Sequence, residues 1–273
     1  MYAPIKQTTE TLIIERSGPV AFVILDRPHA RNAMNVKMIE ELTDFFTSIR
    51  DDRTVRGVVL RGANETFCAG ADIKEMAHPE SQTRDAQLAY AEALDDLLIA
   101  VQYAPQVVIV VVEGVAMGGG FGLVCVSDVA IAAPDAVFAM PEVRLGIAPS
   151  MISPFVLQRI GLSQARRLAL TGRKLNGFGA QEVGLIHEVA LDEDIETLVE
   201  EVVSDLLLAS PDAIAETKAL LFAVSGQALQ ESRSLRVDTL NRLRNSSGVE
   251  GMAAFKEKRK PNWVPEEAPQ VRE

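Results

Sequence analysis

The sequence predicts an α/β fold, with helices covering a sheet, followed by a C-terminal region that is almost entirely helical. Three observations carry this. Strand-like and amphipathic segments alternate from Leu12 to Val112, Val107 to Val112 form an unbroken apolar run as a doubly covered strand does, and the apolar spacing after Asp194 is helical.

In chain order, residues 12–16 and 20–25 are β-rich and separated by Ser17, Gly18 and Pro19, which reads as a hairpin. After a turn over residues 26–31, Met38, Ile39, Leu42, Phe45, Phe46 and Ile49 recur at helical spacing within residues 36–50. Residues 55–60 form the next strand, residues 62–77 are irregular and rich in Gly and Ala, and a second amphipathic helix spans 86–101 before Pro105 breaks it. The Val107 to Val112 strand then ends at Glu113 and Gly114. Past Asp194, helices are expected over 195–208, 213–224, 229–244 and 249–258. Alternating strands and helices first suggest a doubly wound nucleotide fold, but no GxGxxG follows the first strand and no GxxxxGK[ST] occurs.

Composition narrows the classes of function. At 48% hydrophobic and 24% charged over 273 residues, the chain is able to bury a sizeable core, and its longest apolar run is far too short to span a membrane. A net charge of -11 argues against an extended phosphate backbone as partner, since Lys and Arg carry such binding. Cys68 and Cys125 have neither the number nor the spacing of a disulfide or zinc framework and read as reduced thiols. His29, His78 and His187 are too scattered for a metal site, so no metal is expected. The opening MYAPIKQTTE has no apolar signal core and no Arg-rich amphipathic pattern, so a cytoplasmic location is expected.

Three segments carry chemistry. Phe67 to Met76 (FCAGADIKEM) follows a strand and sets small residues where backbone amides are able to approach a ligand, although Gly70 alone also fits a plain tight turn. Gly114 to Leu123 (GVAMGGGFGL) places three consecutive glycines after the Val-rich strand, at a cost in chain entropy of about 1 kcal/mol each relative to Ala in a helix. A helix N-terminus there would aim free N–H groups at an anion or a developing oxyanion; close strand-to-helix packing is the alternative. Phe138 to Ile147 (FAMPEVRLGI) sets Glu142 among apolar neighbours, where partial desolvation favours a raised pKa and acid/base use; a solvated surface carboxylate is the alternative.

With these segments in view, the chain resembles the enoyl-CoA hydratase/isomerase (crotonase) superfamily over nearly its whole length. The resemblance rests on LDRP through NAM (residues 25–34), FCAGADIKEM, GVAMGGGFGL, MPEVRLGIAPS and the closing AAFKEKRKPNW, in the family's order and spacing. Within the family, GGGFGLVCVSDVAIA, PEVRLGIAPSMISPFVLQRIG and KRKPNW are most similar to the branch that hydrates 3-methylglutaconyl-CoA and isohexenylglutaconyl-CoA.

The resemblance implies a crotonase-like spiral of ββα units over residues 1–195 and a C-terminal α-helical region over 196–273, assembled as a homotrimer or homohexamer. It implies an acyl-CoA thioester as substrate, with coenzyme A as part of that substrate and no separate cofactor. By motif position, the amides of Ala71 and Gly119 would form an oxyanion hole, and Glu142 would be the acid/base. Ala69, Ala71 and Ile73 would line the adenine pocket, and Arg27, Ala30 and Arg31 would lie along the pantetheine and phosphates. Asp72, Lys74, Gly118 and Gly122 would complete the substrate and coenzyme A contacts, while Phe255 and Lys258 would reach coenzyme A on a neighbouring subunit.

One departure stands out. Family hydratases carry a first glutamate just after the glycine triplet, and here that position is Gly122. Its hydrogen in place of a side chain is expected to open room for a branched or carboxylate-bearing acyl chain, with Arg144 as a candidate partner for the carboxylate. Hydration is the favoured reaction; double-bond isomerisation by Glu142 alone and a non-catalytic binding module are the alternatives.

Overall fold

A computed structural model of the chain describes residues 5–72, 74, 83–191 and 194–266. A seven-stranded sheet runs in the order β1 (Ile5–Thr8), β2 (Leu12–Ser17), β3 (Val20–Leu25), β4 (Gly57–Gly62), β5 (Val107–Val112), β7 (Val129–Ala132) and β9 (Glu188–Val189). The first two pairings are antiparallel, and the hairpin register joins Ser17 to Val20; from β3 onward every pairing is parallel. A separate pair, β6 (Val115–Met117) and β8 (Val137–Ala139), also runs parallel. It lies beside Cys68, which bridges to Ala116.

Both faces of the parallel part are covered, which is why β5 reads as Val and Ile throughout. On one face Val23, Leu25, Val58, Leu60, Val108, Val110 and Val112 pack into the main core with α1 (Val36–Ile49), α2 (Arg84–Gln102), α3 (Gly119–Val126) and α4 (Ser153–Ala169). On the other, Phe22, Val59, Ile109, Val111 and Ile131 meet Val199, Val203 and Leu207 of α6 (Ile195–Leu208). The short helix α5 (Gly177–Glu182) lies between α4 and β9 in sequence. Asn35 caps α1 by accepting the Met38 N–H, and Thr83 caps α2 by accepting that of Ala86, so two orphan donors are satisfied where the sequence changes period.

The expected elements are present, with their ends moved by a few residues. β4 begins at Gly57 rather than residue 55, and the third C-terminal helix begins at Arg233 rather than 229. The C-terminal helices are α6, α7 (Pro211–Val224), α8 (Arg233–Arg244) and α9 (Ser247–Glu257). α7 is tied to the sheet by Lys218, whose Nζ donates to Asp128 Oδ2 at 2.6 Å and to the Gln106 carbonyl at 3.1 Å. Cys68 and Cys125 are free and buried, and burial pushes both thiols up to about 12, which leaves no thiolate for chemistry. Among the described residues no helix is long and apolar enough to cross a membrane.

Candidate active site

The small β6–β8 sheet gathers three segments that are distant in sequence. Cys68 pairs with Ala116, Ala116 with Phe138, and the Gly118 N–H donates to the Ala139 carbonyl at 3.1 Å. Residues 69–71, 118–119 and 141–142 therefore emerge side by side. They border a cavity of about 690 Å³, closed by Gln87, Tyr90, Ala91 and Leu94 of α2 and by residues 145 and 147–152.

Two glycines allow this approach. Gly70 has φ 100° and Gly118 φ 50°, conformations that strain an L side chain. A Cβ on Gly70 would stand 2.9 Å from the Met117 carbonyl oxygen, and one on Gly118 would stand 3.2 Å from Glu142 Oε1. Gly118 thus gives way to the carboxylate, as Gly70 gives way to Met117 at the end of β6.

The donors follow from the same backbone path. A parallel bridge to Met34 engages the Gly70 carbonyl and the Asp72 N–H, at 2.7 and 2.9 Å, and leaves the intervening Ala71 N–H pointing away from it. Gly119 is the first residue of α3, so its N–H has no intrahelical acceptor. Among the described residues neither N–H has a partner, and both residues line the cavity.

Glu142 opens a short 3-10 turn, Glu142–Leu145, directly after β8 and Pro141. Its Oε2 is buried with no hydrogen-bond partner among the described residues. Burial pushes its carboxyl above the ordinary carboxylate value. A buried acceptor left unpaired is costly, and such groups mark sites completed by a ligand or a water. Two unpaired amide donors and a basic carboxylate on one cavity suit a carbonyl whose oxygen gains negative charge while a proton moves nearby.

The remaining candidates divide. Ala69 and Gly118 line the cavity. Arg31 adjoins it through the Ala69 N–H, which donates to the Arg31 carbonyl at 3.0 Å, while Ala30 does not line it; the Arg31 and Lys74 side chains are exposed. The side chains of Arg27 and Asp72, expected along coenzyme A, pair with each other instead of lining the cavity. Arg27 Nη2 pairs with Asp72 Oδ2 at 2.9 Å and Nη1 donates to the Ala33 carbonyl, so this guanidinium is turned inward. Asp72 also accepts the Lys74 N–H at 3.0 Å. Burial tends to raise the Asp72 carboxyl, but the Arg27 hydrogen bond, the Lys74 N–H and both positive charges outweigh it and hold it below the usual range.

The pair is a clamp between the turn over residues 27–34 and the amide-bearing loop. Asp72→Ala, which leaves Arg27 buried without its partner, is expected to cost about 3 kcal/mol in urea unfolding. The depressed carboxyl gives the sign of the pH dependence: its contribution is full above the ordinary carboxylate pKa and is lost as pH falls through the folded value. The wild-type minus Asp72→Ala difference should therefore shrink on acidification, and a difference that grows would refute the clamp.

Gly122 requires a larger correction. It is buried in α3 and does not line the cavity. The room its missing side chain leaves is taken by Ile152: a Cβ on Gly122 would clash with Ile152 Cγ2 and stand 3.2 Å from Ile152 Cβ. Arg144 is likewise not a cavity residue, because its Nε and Nη2 donate to the Thr171 carbonyl at 3.3 and 3.0 Å. Phe255 and Lys258 lie on and just past α9; Phe255 is 88% exposed, and neither side chain lines the cavity of its own chain. Ile73 falls outside the described residues.

Two sets of residues escaped the reading of the sequence. Asn32 is fully buried, accepting the Arg27 N–H and donating to the Ala63 and Thr66 carbonyls, which holds the turn over residues 27–34 in place. It lies in the NAM segment that contributes to the family resemblance, but nothing in that segment shows that its side chain ties the turn together. Gln87, Tyr90, Ala91 and Leu94 form an i, i+3, i+4, i+7 face of α2, so helical periodicity shows the face but not what it meets.

Comparison with known proteins gives the family. The family described as enoyl-CoA hydratase/isomerase matches residues 15–266. A probable enoyl-CoA hydratase of Mycobacterium tuberculosis, echA8, is 35% identical over 263 residues, covering 94% of this chain and 99% of that protein. Enoyl-CoA hydratase AKT6-1 of Alternaria alternata is 34% identical over 209 residues, 76% of this chain and 68% of its own. Among solved structures, AtuE of Pseudomonas aeruginosa superposes with a TM-score of 0.91 at 45% identity, covering 94% of this chain and 100% of that one.

Proposed function

This chain belongs to the enoyl-CoA hydratase/isomerase family, and from that premise we propose that it adds water across the α,β double bond of an acyl-CoA thioester. The observation that carries the reading is the buried, partnerless Oε2 of Glu142 on the same cavity as the unpaired N–H groups of Ala71 and Gly119. In an α,β-unsaturated thioester the carbonyl makes the β carbon electrophilic. Attack there moves an electron pair onto the thioester oxygen, which the two N–H donors stabilise as an enolate. The Glu142 carboxylate takes a proton from the attacking water and then, as the acid, delivers it to the α carbon, so that one water is gained. A raised carboxyl pKa makes it the stronger base and suits both steps.

The finer substrate is a branched or glutaconyl-type acyl chain, supported by the segments resembling the 3-methylglutaconyl-CoA and isohexenylglutaconyl-CoA hydratases. Leu94, Leu145, Ile147, Met151 and Ile152 on the cavity wall suit the hydrocarbon part of such a chain. Coenzyme A would run along Ala30, Arg31, Ala69 and Lys74. The working unit we assign is a trimer or pair of trimers, in which Phe255 and Lys258 complete a neighbour's coenzyme A site. Exposed Leu221, Leu229, Leu240 and Phe255 offer that assembly an apolar surface.

The test is a panel of crotonyl-, 3-methylcrotonyl-, 3-methylglutaconyl- and 3-enoyl-CoA followed by mass analysis. A gain of one water on a 2-enoyl thioester is expected. A product of unchanged mass with a shifted double bond would establish the second reading, isomerisation, which Gly122 favours by leaving Glu142 without a second carboxylate. Because the base must be ionised, kcat/KM should fall as pH drops through the raised Glu142 pKa, with an acid limb above that of an ordinary carboxylate. An acid limb unchanged in Glu142→Gln would assign that limb to another group.

A further inference from the structure

We propose that Ile152 determines which acyl chains the cavity accepts, by occupying the volume vacated at Gly122 and presenting a hydrocarbon wall beside the reaction centre. The inference rests on the hydratase reading and adds a specificity residue to it. Gly122 lies within the first turn of α3, whose first residue, Gly119, provides one of the two amide donors. A Cβ there would clash with Ile152 Cγ2 and stand 3.5 Å from Leu98 Cδ2, so no free space remains above the glycine. Ile152 is only 3% exposed yet lines the cavity, which means one side of its side chain rests on Gly122 while another faces the substrate space.

Its backbone is held by the helix that follows it. Ile152 is the N-cap of α4, and its carbonyl accepts the Val156 N–H at 3.0 Å. The β-branched side chain has few rotamers, so it does not readily swing aside. Residues 122 and 152 therefore act on one volume with opposite sign. Trimming Ile152 opens the cavity toward Gly122 and Leu98, whereas a methyl at 122 drives Ile152 into it. Chemically, hydrocarbon stands where a side chain at 122 would, and Glu142 is left as the acid/base with an apolar wall beside it.

The test compares native protein with Ile152→Val, Ile152→Ala and Gly122→Ala. Calorimetric titration with saturated butyryl-, isovaleryl- and octanoyl-CoA reads the wall without turnover, and kcat/KM on the matching 2-enoyl thioesters reads it during the reaction. Ile152→Ala is expected to shift preference toward the bulkier chains by roughly ten- to a hundredfold, as one or two methylenes in an apolar pocket do. Ile152→Val should move it the same way by less, and Gly122→Ala should move it the other way. An unchanged order of affinities in both Ile152 variants, or a Gly122→Ala shift in the same direction as Ile152→Ala, overturns the proposal; Ile152→Val carries the test where the Ala variant does not fold. If no thioester gains water in the native protein, the hydratase reading falls on that result, and the affinities still decide the role of Ile152.

Discussion

Glu142→Gln is expected to lower turnover on 2-enoyl thioesters by roughly 10²–10⁴-fold while leaving the affinity for saturated acyl-CoA largely unchanged. The amide keeps the shape of the side chain and its place against Gly118, where Oε1 stands 3.2 Å from the position of a Cβ. What it removes is the capacity to accept a proton from water and return it to the α carbon. Oε2 has no internal partner among the described residues, and the bond the carboxylate accepts from its own backbone N–H is one the amide oxygen is able to keep, so stability should not fall with activity. Steady-state kinetics, acyl-CoA titration and thermal unfolding on the same preparation separate the outcomes. Turnover near that of the native protein would remove Glu142 from the mechanism, and a parallel loss of affinity would make it a binding group instead.

Deleting the Gly119 donor should have a comparable effect. Gly119→Pro removes one of the two N–H groups assigned to the thioester oxygen, and the loss of such a donor typically costs on the order of 10²–10³-fold in kcat. Proline suits the first position of a helix, where the N–H has no backbone acceptor, so α3 is able to form. Any side chain at 119 also meets Met34 Cε, however, and Gly119→Ala meets it equally while keeping the donor. The informative quantity is therefore the ratio of Pro to Ala kcat values, with circular dichroism to confirm that both fold. A ratio near one would show that the Gly119 N–H carries no charge in the transition state.

The sequence by itself determined the class of the fold and pointed to the groups proposed to carry the chemistry. Apolar periodicity over residues 36–50, the Val-rich run at 107–112 and the helical spacing after Asp194 are local patterns, and local patterns reflect which faces must be buried. The glycine segments and Glu142 stood out as segments, but a tight turn, close packing and a solvated carboxylate stayed open for them until the family resemblance proposed their roles. Only the tertiary structure decided what meets what. The β6–β8 pairing, too short to leave a periodic trace, sets Ala71, Gly119 and Glu142 around one cavity. A long-range ion pair joins the side chains of Arg27 and Asp72, which the sequence had placed only along coenzyme A. Gly122 is the sharpest case: the missing side chain was read as open space, but Ile152, thirty positions away in sequence and adjacent in space, fills it. An empty position in a sequence becomes a void only if nothing packs there, and interiors are close-packed, so the neighbour that fills it is decided by the fold alone.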